Sequence, residues 1–273
     1  MLLDGIKVRD EILNNLQKEV KDNNYDITFA ILLIGNNPES EIYVHNKIKY
    51  AEKVGIKTKF IHLNEATTEE VIDIINKLND NSGISGIILQ SPTPGNIDFE
   101  KCISKIDPKK DIDGFTKENV YKLINNIDGL RPCTPEGIKE LLKHYNVPLK
   151  GANVCIIGSG KLVGRPLIFA MINEGATITS CNSKTKDLKK HTENADIIIC
   201  GVGKKHILTA DMVKEGAVVV DAGITVEDGK IIGDADFDDL KDKCSYITPN
   251  PGGVGPMTIA ILLSNVVKAY KNK

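Results

Sequence analysis

Continuous apolar runs that stop at glycine- or proline-rich turns constrain this chain more than any other feature. Thr28-Phe29-Ala30-Ile31-Leu32-Leu33-Ile34, closed by Gly35, is one such run. Runs of this kind suit strands buried on both faces of a parallel sheet. Asn37-Pro38 then offers an N-cap and a proline at N1, opening a helix over 38–54 that Gly55 can end. A helix over 6–22 precedes the run; a strand at 57–63, a helix at 68–80 and a strand at 84–89 follow it. Gln90-Ser91-Pro92-Thr93-Pro94-Gly95 cannot be regular structure and is expected as a loop at a strand end. Between 98 and 140 the signals are mixed, with Asp107-Pro108 and Arg131-Pro132 interrupting helical stretches. From Asn153 the rhythm returns in five short runs, at 154–157, 177–180, 197–200, 218–220 and 246–248. A last segment, 257–270, is apolar nearly all round and is expected to be a buried helix.

The 273 residues suit one large or two ordinary domains, and 41% apolar residues supply ample core. Lys plus Arg 35 against Asp plus Glu 37 leaves a net charge of −2, which gives no electrostatic case for nucleic acid. The N-terminus lacks a signal-peptide pattern, and no apolar run approaches membrane-spanning length. Six cysteines without a CxxC pair read as reduced, buried thiols of a cytoplasmic protein. Five histidines without HxxxH spacing give no metal site, so no metal is expected.

Gly158-Ser159-Gly160-Lys161-Leu162-Val163-Gly164 follows an apolar strand and precedes a helical stretch. In that setting a glycine turn presents backbone N–H groups and a helix N-terminus to a pyrophosphate. The candidate cofactor-binding residues are Gly158, Ser159, Gly160, Val163, Gly164 and Arg165. An NAD-specific fold would place an acid after the next strand, on the adenine ribose. Here that strand ends Cys181-Asn182-Ser183-Lys184, a hydroxyl and a cation suited to a 2′-phosphate, so NADP is favoured over NAD. Ser183 is the safer choice of the two. Gly201-Val202-Gly203 after the third strand of this half, and Asp221-Ala222-Gly223-Ile224 after the fourth, would line the same crevice.

Toward the C-terminus, Ile247 to Thr258 reads ITPNPGGVGPMT, a loop stiffened by proline, shaped by glycine and running straight into the last helix. Ser40-Glu41-Ile42-Tyr43-Val44-His45-Asn46-Lys47 puts a tyrosine and a lysine four apart on one helical face. Gln90, Lys110-Asp111-Ile112-Asp113-Gly114 and Pro132-Cys133-Thr134-Pro135 complete an ordered set reaching from Tyr43 to Thr258. Together these segments closely resemble the bifunctional methylenetetrahydrofolate dehydrogenase/methenyltetrahydrofolate cyclohydrolase family, over nearly the whole chain.

The resemblance implies an α/β protein of two domains. A folate-binding catalytic domain would comprise 1–138 plus 255–273, with the C-terminal helix packing back on it, and a Rossmann-like NADP-binding domain 139–254. It implies oxidation of 5,10-methylenetetrahydrofolate by NADP+ and hydrolysis of the methenyl product to 10-formyltetrahydrofolate. It also implies a homodimer and a place in one-carbon metabolism and purine biosynthesis. The nitrogen lone pairs stabilise the methenyl cation, so hydride transfer rests mainly on positioning. Water must lose a proton as it adds to that cation, and Lys47 is the candidate base if held partly neutral. By resemblance Gln90 orients Lys47, Tyr43 packs on the folate and Asp113 accepts from the pterin N–H edge. Pro251, Gly252, Gly253 and Thr258 are the further substrate-binding candidates. Ser91 and Thr93 stand where many relatives carry leucine, Asn250 where a small aliphatic is commoner, and Ser159 where some carry arginine. The alternatives are a dehydrogenase without the hydrolytic half, which would not need Lys47, and a non-catalytic nucleotide-sensing protein.

Overall fold

The computed structural model describes residues 1–227 and 230–273. Two compact units emerge: Glu11–Arg131 with Ile259–Lys273, and Met1–Asp10 with Pro132–Thr258. The first contains, in chain order, most of α1 (Gly5–Asp22), β1 (Thr28–Ile34), α2 (Pro38–Val54), β2 (Lys57–Leu63), α3 (Thr68–Asp80), β3 (Gly86–Leu89), α4 (Phe99–Ile103) and α5 (Lys117–Ile124). Its sheet is parallel, in the order β2-β1-β3. Central β1 is buried from Phe29 to Ile34, which is why its sequence shows no polar alternation. At the edge, β2 exposes Lys57, Lys59, Phe60 and His62 and sends only Ile61 and Leu63 toward the core. Asn37 caps α2 by accepting from the Ser40 N–H at 2.9 Å, and Gly55 ends it at φ 88°. The chain runs from β1 out to β2 and returns across β1 to β3. Gly35 and Gln90 therefore leave the sheet where strand order reverses, the place at which open α/β sheets bind ligands.

The second unit continues with α6 (Cys133–His144), β4 (Asn153–Ile157), α7 (Gly164–Asn173), β5 (Thr177–Cys181), α8 (Lys189–Thr192), β6 (Ile197–Cys200), β7 (Val218–Asp221), β8 (Thr225–Glu227), β9 (Lys230–Ile232), α9 (Phe237–Leu240) and β10 (Tyr246–Ile247). Five strands form a parallel sheet in the order β10-β7-β6-β4-β5, and β8 pairs with β9 as an antiparallel ribbon. Cys155, Ile157, Ile198, Cys200, Val219 and Leu240 belong to one buried cluster of this unit. Strand order reverses between β4 and β6, so the turns after Ile157 and Cys200 share a crevice mouth. The last helix, α10 (Val254–Lys271), starts three residues before the expected 257, with Pro256 in its first turn.

The sequence places the domain boundaries after 138 and 254, whereas the compact units divide after Arg131 and Thr258. Helix α6 belongs to the second unit, where it packs on α7. The first ten residues also belong there: Leu3 N–H donates to Ile247 O at 2.9 Å and Ile247 N–H to Met1 O at 3.0 Å. Ile259–Lys273 belongs with the first unit, where Asn265 Nδ2 donates to Ile112 O at 2.9 Å and Arg131 O at 2.8 Å. Among the described residues no helix is long and apolar enough to cross a membrane.

Candidate active site

In the first unit, Tyr43 and Lys47 project from successive turns of α2, just beyond the carboxyl end of β1. Gln90 directly follows β3 and extends its pairing, donating its N–H to Leu32 O at 2.8 Å. Gln90 is 5% exposed, and its side chain is committed at both ends. Oε1 accepts from Lys47 Nζ at 2.6 Å, and Nε2 donates to Ser91 O, also at 2.6 Å. An amide held this way fixes the direction of the lysine nitrogen it faces. Burial, and secondarily Glu39, push the Tyr43 phenol above its ordinary pKa, so it stays a neutral O–H. At Ser91 the backbone carbonyl carries the contact to Gln90, so the leucine-to-serine departure leaves that bond intact.

The KDIDG segment divides its labour. Lys110 Nζ donates to Leu78 O, Asn79 O and Asn81 O at 3.0, 2.5 and 2.9 Å, satisfying carbonyls at the end of α3. Asp111 is fully buried; its carboxylate accepts from Gly114 N–H, Thr116 N–H and Asn119 Nδ2 at 2.9, 2.7 and 3.0 Å. Asn265 holds the next carbonyl, Ile112 O. Asp113 is thereby carried on a pinned turn with its side chain partly exposed.

Around Gly158 of the second unit, the first glycine's N–H donates to Cys181 O and Gly201 N–H to Ile157 O, both at 2.9 Å. Arg165 Nε donates to Ser159 O at 3.2 Å, which sets a guanidinium beside the glycine turn. Helix α7 begins at Gly164 after Val163, which supplies no side-chain cap. A Cβ on Gly164 would lie 1.9 Å from Gly158 O, so only glycine lets helix and turn meet. Gly164→Ala is therefore expected to destabilise the protein by about 1–3 kcal/mol. NADP+ affinity should weaken by about tenfold for each 1.4 kcal/mol that falls on the turn. Melting with and without NADP+ measures both, and unchanged values would contradict the packing account. Ser183 and Lys184 are exposed beyond β5, and the stretch from Cys181 to Lys186 contains no acid.

The ITPNPGGVGPMT loop is also tied down. Gly252 O accepts from Gly5 N–H at 3.0 Å, and the Thr258 and Thr134 hydroxyls share a hydrogen bond of 3.2 Å. Pro251 is exposed and Gly253 buried. Asn250, the departure from the usual aliphatic, donates through Nδ2 to Gly223 O at 2.7 Å. Thus Lys47 and Gln90 are in direct contact, Tyr43 lies one turn earlier on α2, and Asp113 occupies a neighbouring turn of the first unit. Pro251, Gly252, Gly253, Thr258 and the nucleotide set all fall in the second. Asp234 and Asn265 are absent from the sequence candidates, and Asp111 and Asp221 enter only within the KDIDG and crevice-lining segments, without roles of their own. For Asp221 a signal existed, since an acid closing the apolar run Val218–Val220 demands buried partners.

All six cysteines are buried. Burial pushes the Cys155 thiol up to about 12 and Cys244 up to about 11, and raises Cys102 and Cys200 as well. A raised thiol pKa keeps the unreactive protonated form to higher pH. A thiol–disulfide reagent at mildly alkaline pH should thus react slowly with the folded protein and rapidly with all six after unfolding. A fast-reacting thiol in the native protein would contradict this. Among the described residues no group of three or more His, Cys, Asp or Glu is placed to hold a metal ion.

Parallel sheets with ligand-type switch points, one of them bearing a glycine turn, define a two-domain α/β protein with a nucleotide-binding half. Residues 132–273 match the NAD(P)-binding domain of tetrahydrofolate dehydrogenase/cyclohydrolase, and residues 3–113 match its catalytic domain. The bifunctional protein FolD of Aquifex aeolicus is 48% identical over 281 residues, spanning 100% of this chain and 96% of its own. The crystal structure of the FolD methylenetetrahydrofolate dehydrogenase/cyclohydrolase of Campylobacter jejuni has a TM-score of 0.97 at 44% identity, covering 100% of this chain and 99% of that one. That of the Trypanosoma brucei dehydrogenase-cyclohydrolase, complexed with NADP cofactor and inhibitor, has a TM-score of 0.95 at 31% identity and covers 100% and 97%. The chain belongs to the tetrahydrofolate dehydrogenase/cyclohydrolase family.

Proposed function

We propose that this enzyme oxidises 5,10-methylenetetrahydrofolate with NADP+ and hydrolyses the resulting methenyl compound to 10-formyltetrahydrofolate. The observation that carries it is the 2.6 Å bond from Lys47 Nζ to Gln90 Oε1 at the switch point of the catalytic half. Hydride transfer alone gives no reason to retain an oriented lysine there; addition of water does. In this reading Lys47, in its neutral amine form, takes the proton from the water that attacks the methenyl carbon. Gln90 fixes the direction of Lys47. Tyr43 packs on the folate as a neutral phenol, and Asp113 accepts hydrogen bonds from the pterin. Pro251, Gly252, Gly253 and Thr258 complete the folate contacts.

The glycine turn fits a nucleotide: Gly164 permits the close helix approach that a side chain would prevent. Gly158, Ser159, Gly160, Val163, Gly164 and Arg165 would hold the pyrophosphate, with Gly201, Gly223 and Ile224 lining the crevice beyond. When bound, NADP+ supplies the hydride acceptor. Exposed Ser183 and Lys184, with no acid beside them, favour the 2′-phosphate of NADP over NAD. The family resemblance further supports a cytoplasmic homodimer serving one-carbon metabolism and purine biosynthesis, without a resident metal, nucleic acid or membrane partner.

The test supplies purified protein with 5,10-methylenetetrahydrofolate and either NADP+ or NAD+. Faster reduction of NADP+ is expected. Faster reduction of NAD+ would overturn the cofactor choice, and no reduction of either would leave a non-catalytic nucleotide-binding protein.

A further inference from the structure

We infer that Asp234 is a positioning residue for the nucleotide, a buried carboxylate that holds the Val202-Gly203-Lys204 loop in its binding form without touching the nucleotide itself. The inference rests on the nucleotide-binding reading above. Asp234 lies between β9 and α9 and is 0% exposed. Its Oδ2 accepts from Val202 N–H at 2.6 Å and Gly203 N–H at 3.2 Å, and its Oδ1 from Lys204 N–H at 2.7 Å. Three consecutive backbone donors thus converge on one anionic group, a charge-assisted anchor. The loop they belong to leaves β6 at the switch point and packs on the nucleotide turn. A Cβ on Gly158 would lie 2.6 Å from Gly201 O and 2.9 Å from Val202 Cγ1. Any shift of the loop is therefore felt at the first glycine of that turn.

A second carboxylate positions the first. Asp221, 5% exposed at the end of β7, accepts from Gly223 N–H at 2.9 Å, Asp234 N–H at 3.1 Å and Ala235 N–H at 3.0 Å. Its own N–H donates to Thr248 Oγ1 at 2.7 Å. The two acids are reciprocally seated. A Cβ on Gly223 would fall 2.0 Å from Asp234 Cγ, and one on Gly233 would fall 1.9 Å from Asp221 Oδ2. Asp221 thus fixes the segment that carries Asp234, and Asp234 fixes the loop beside Gly158. Two apolar side chains remain outward on these loops, Val202 at 41% and Ile224 at 46% exposure, available to a bound ring.

Carboxylate chemistry is specific to this arrangement, because both oxygens only accept. Asparagine at 234 keeps one acceptor and turns a donor toward backbone N–H groups. Asp234→Asn should therefore free the loop while leaving Lys47 and Gln90 untouched. If the binding-competent loop falls to a tenth of the population, the NADP+ Kd read by titration calorimetry rises about tenfold. Amide exchange at Val202, Gly203 and Lys204 should accelerate. Hydrolysis of 5,10-methenyltetrahydrofolate supplied directly, which needs no nucleotide, should stay near the wild-type rate. Faster exchange with unchanged NADP+ affinity would overturn the inference, as would loss of hydrolysis in proportion to affinity, the mark of a merely structural role. Should the variant not fold, wild-type exchange decides. Protection of these three amides in the nucleotide-free protein, comparable to the end of β6, supports a preformed loop; protection gained only on adding NADP+ refutes it. Wild-type protein that binds no NADP+ would instead sink the nucleotide reading, while the exchange comparison would still report whether Asp234 holds the loop.

Discussion

Replacing Lys47 by methionine is expected to lower hydrolysis of 5,10-methenyltetrahydrofolate by a factor on the order of 10² to 10⁴, the usual contribution of a positioned acid–base group. Methionine keeps the apolar stem and removes the nitrogen that Gln90 Oε1 now orients at 2.6 Å. The dehydrogenase step should suffer less, because the methylene carbon gives up its hydride with help from its own flanking nitrogens. Assaying the two half-reactions separately checks this. Full hydrolytic activity in the variant would remove Lys47 from the mechanism. Gln90→Ala should lie between the two, since the amine remains but loses its fixed direction.

The second large effect is expected at Asp111, not at its neighbour two residues on. Asp111→Ala removes a carboxylate that three buried donors share. It leaves Thr116 N–H unpaired, while Gly114 N–H keeps the backbone carbonyl of residue 111 and Asn119 Nδ2 keeps Pro108 O. Each unpaired buried donor hydrogen costs about 1–3 kcal/mol, and Thr116 and Asn119 each lose the acceptor of one, so a loss of roughly 2 kcal/mol or more in unfolding free energy should follow. Asp113→Asn should behave differently, losing folate affinity out of proportion to stability. Denaturant unfolding set beside folate binding separates the two acids. Equal destabilisation by both substitutions would show that the KDIDG turn does not divide as described.

How far the sequence carried this depends on whether each signal was local. Strand β1 and helix α2 were readable because an unbroken apolar run, an Asn-Pro cap and a terminal glycine act on their own neighbours. The nucleotide turn was equally local. The Lys47–Gln90 contact was not: the residues are 43 apart and meet only because β3 returns beside β1. Family resemblance suggested that pair, and spacing alone could not have. Likewise Met1 and Leu3 join the second unit through backbone bonds to Ile247, whose side-chain pattern carries no trace of them. Asp234 escaped notice for the same reason. Its partners are backbone N–H groups about thirty residues earlier, and hydrogen bonds to backbone leave no complementary residue type to recognise.

The most direct test of the central claim, that one chain performs both steps, supplies 5,10-methylenetetrahydrofolate and NADP+ and follows reduced cofactor and methenyltetrahydrofolate simultaneously. Reduced cofactor forming while methenyltetrahydrofolate stays low and 10-formyltetrahydrofolate accumulates is the predicted result. Methenyltetrahydrofolate accumulating in step with the reduced cofactor, beyond its uncatalysed hydrolysis, would contradict it and leave a dehydrogenase alone.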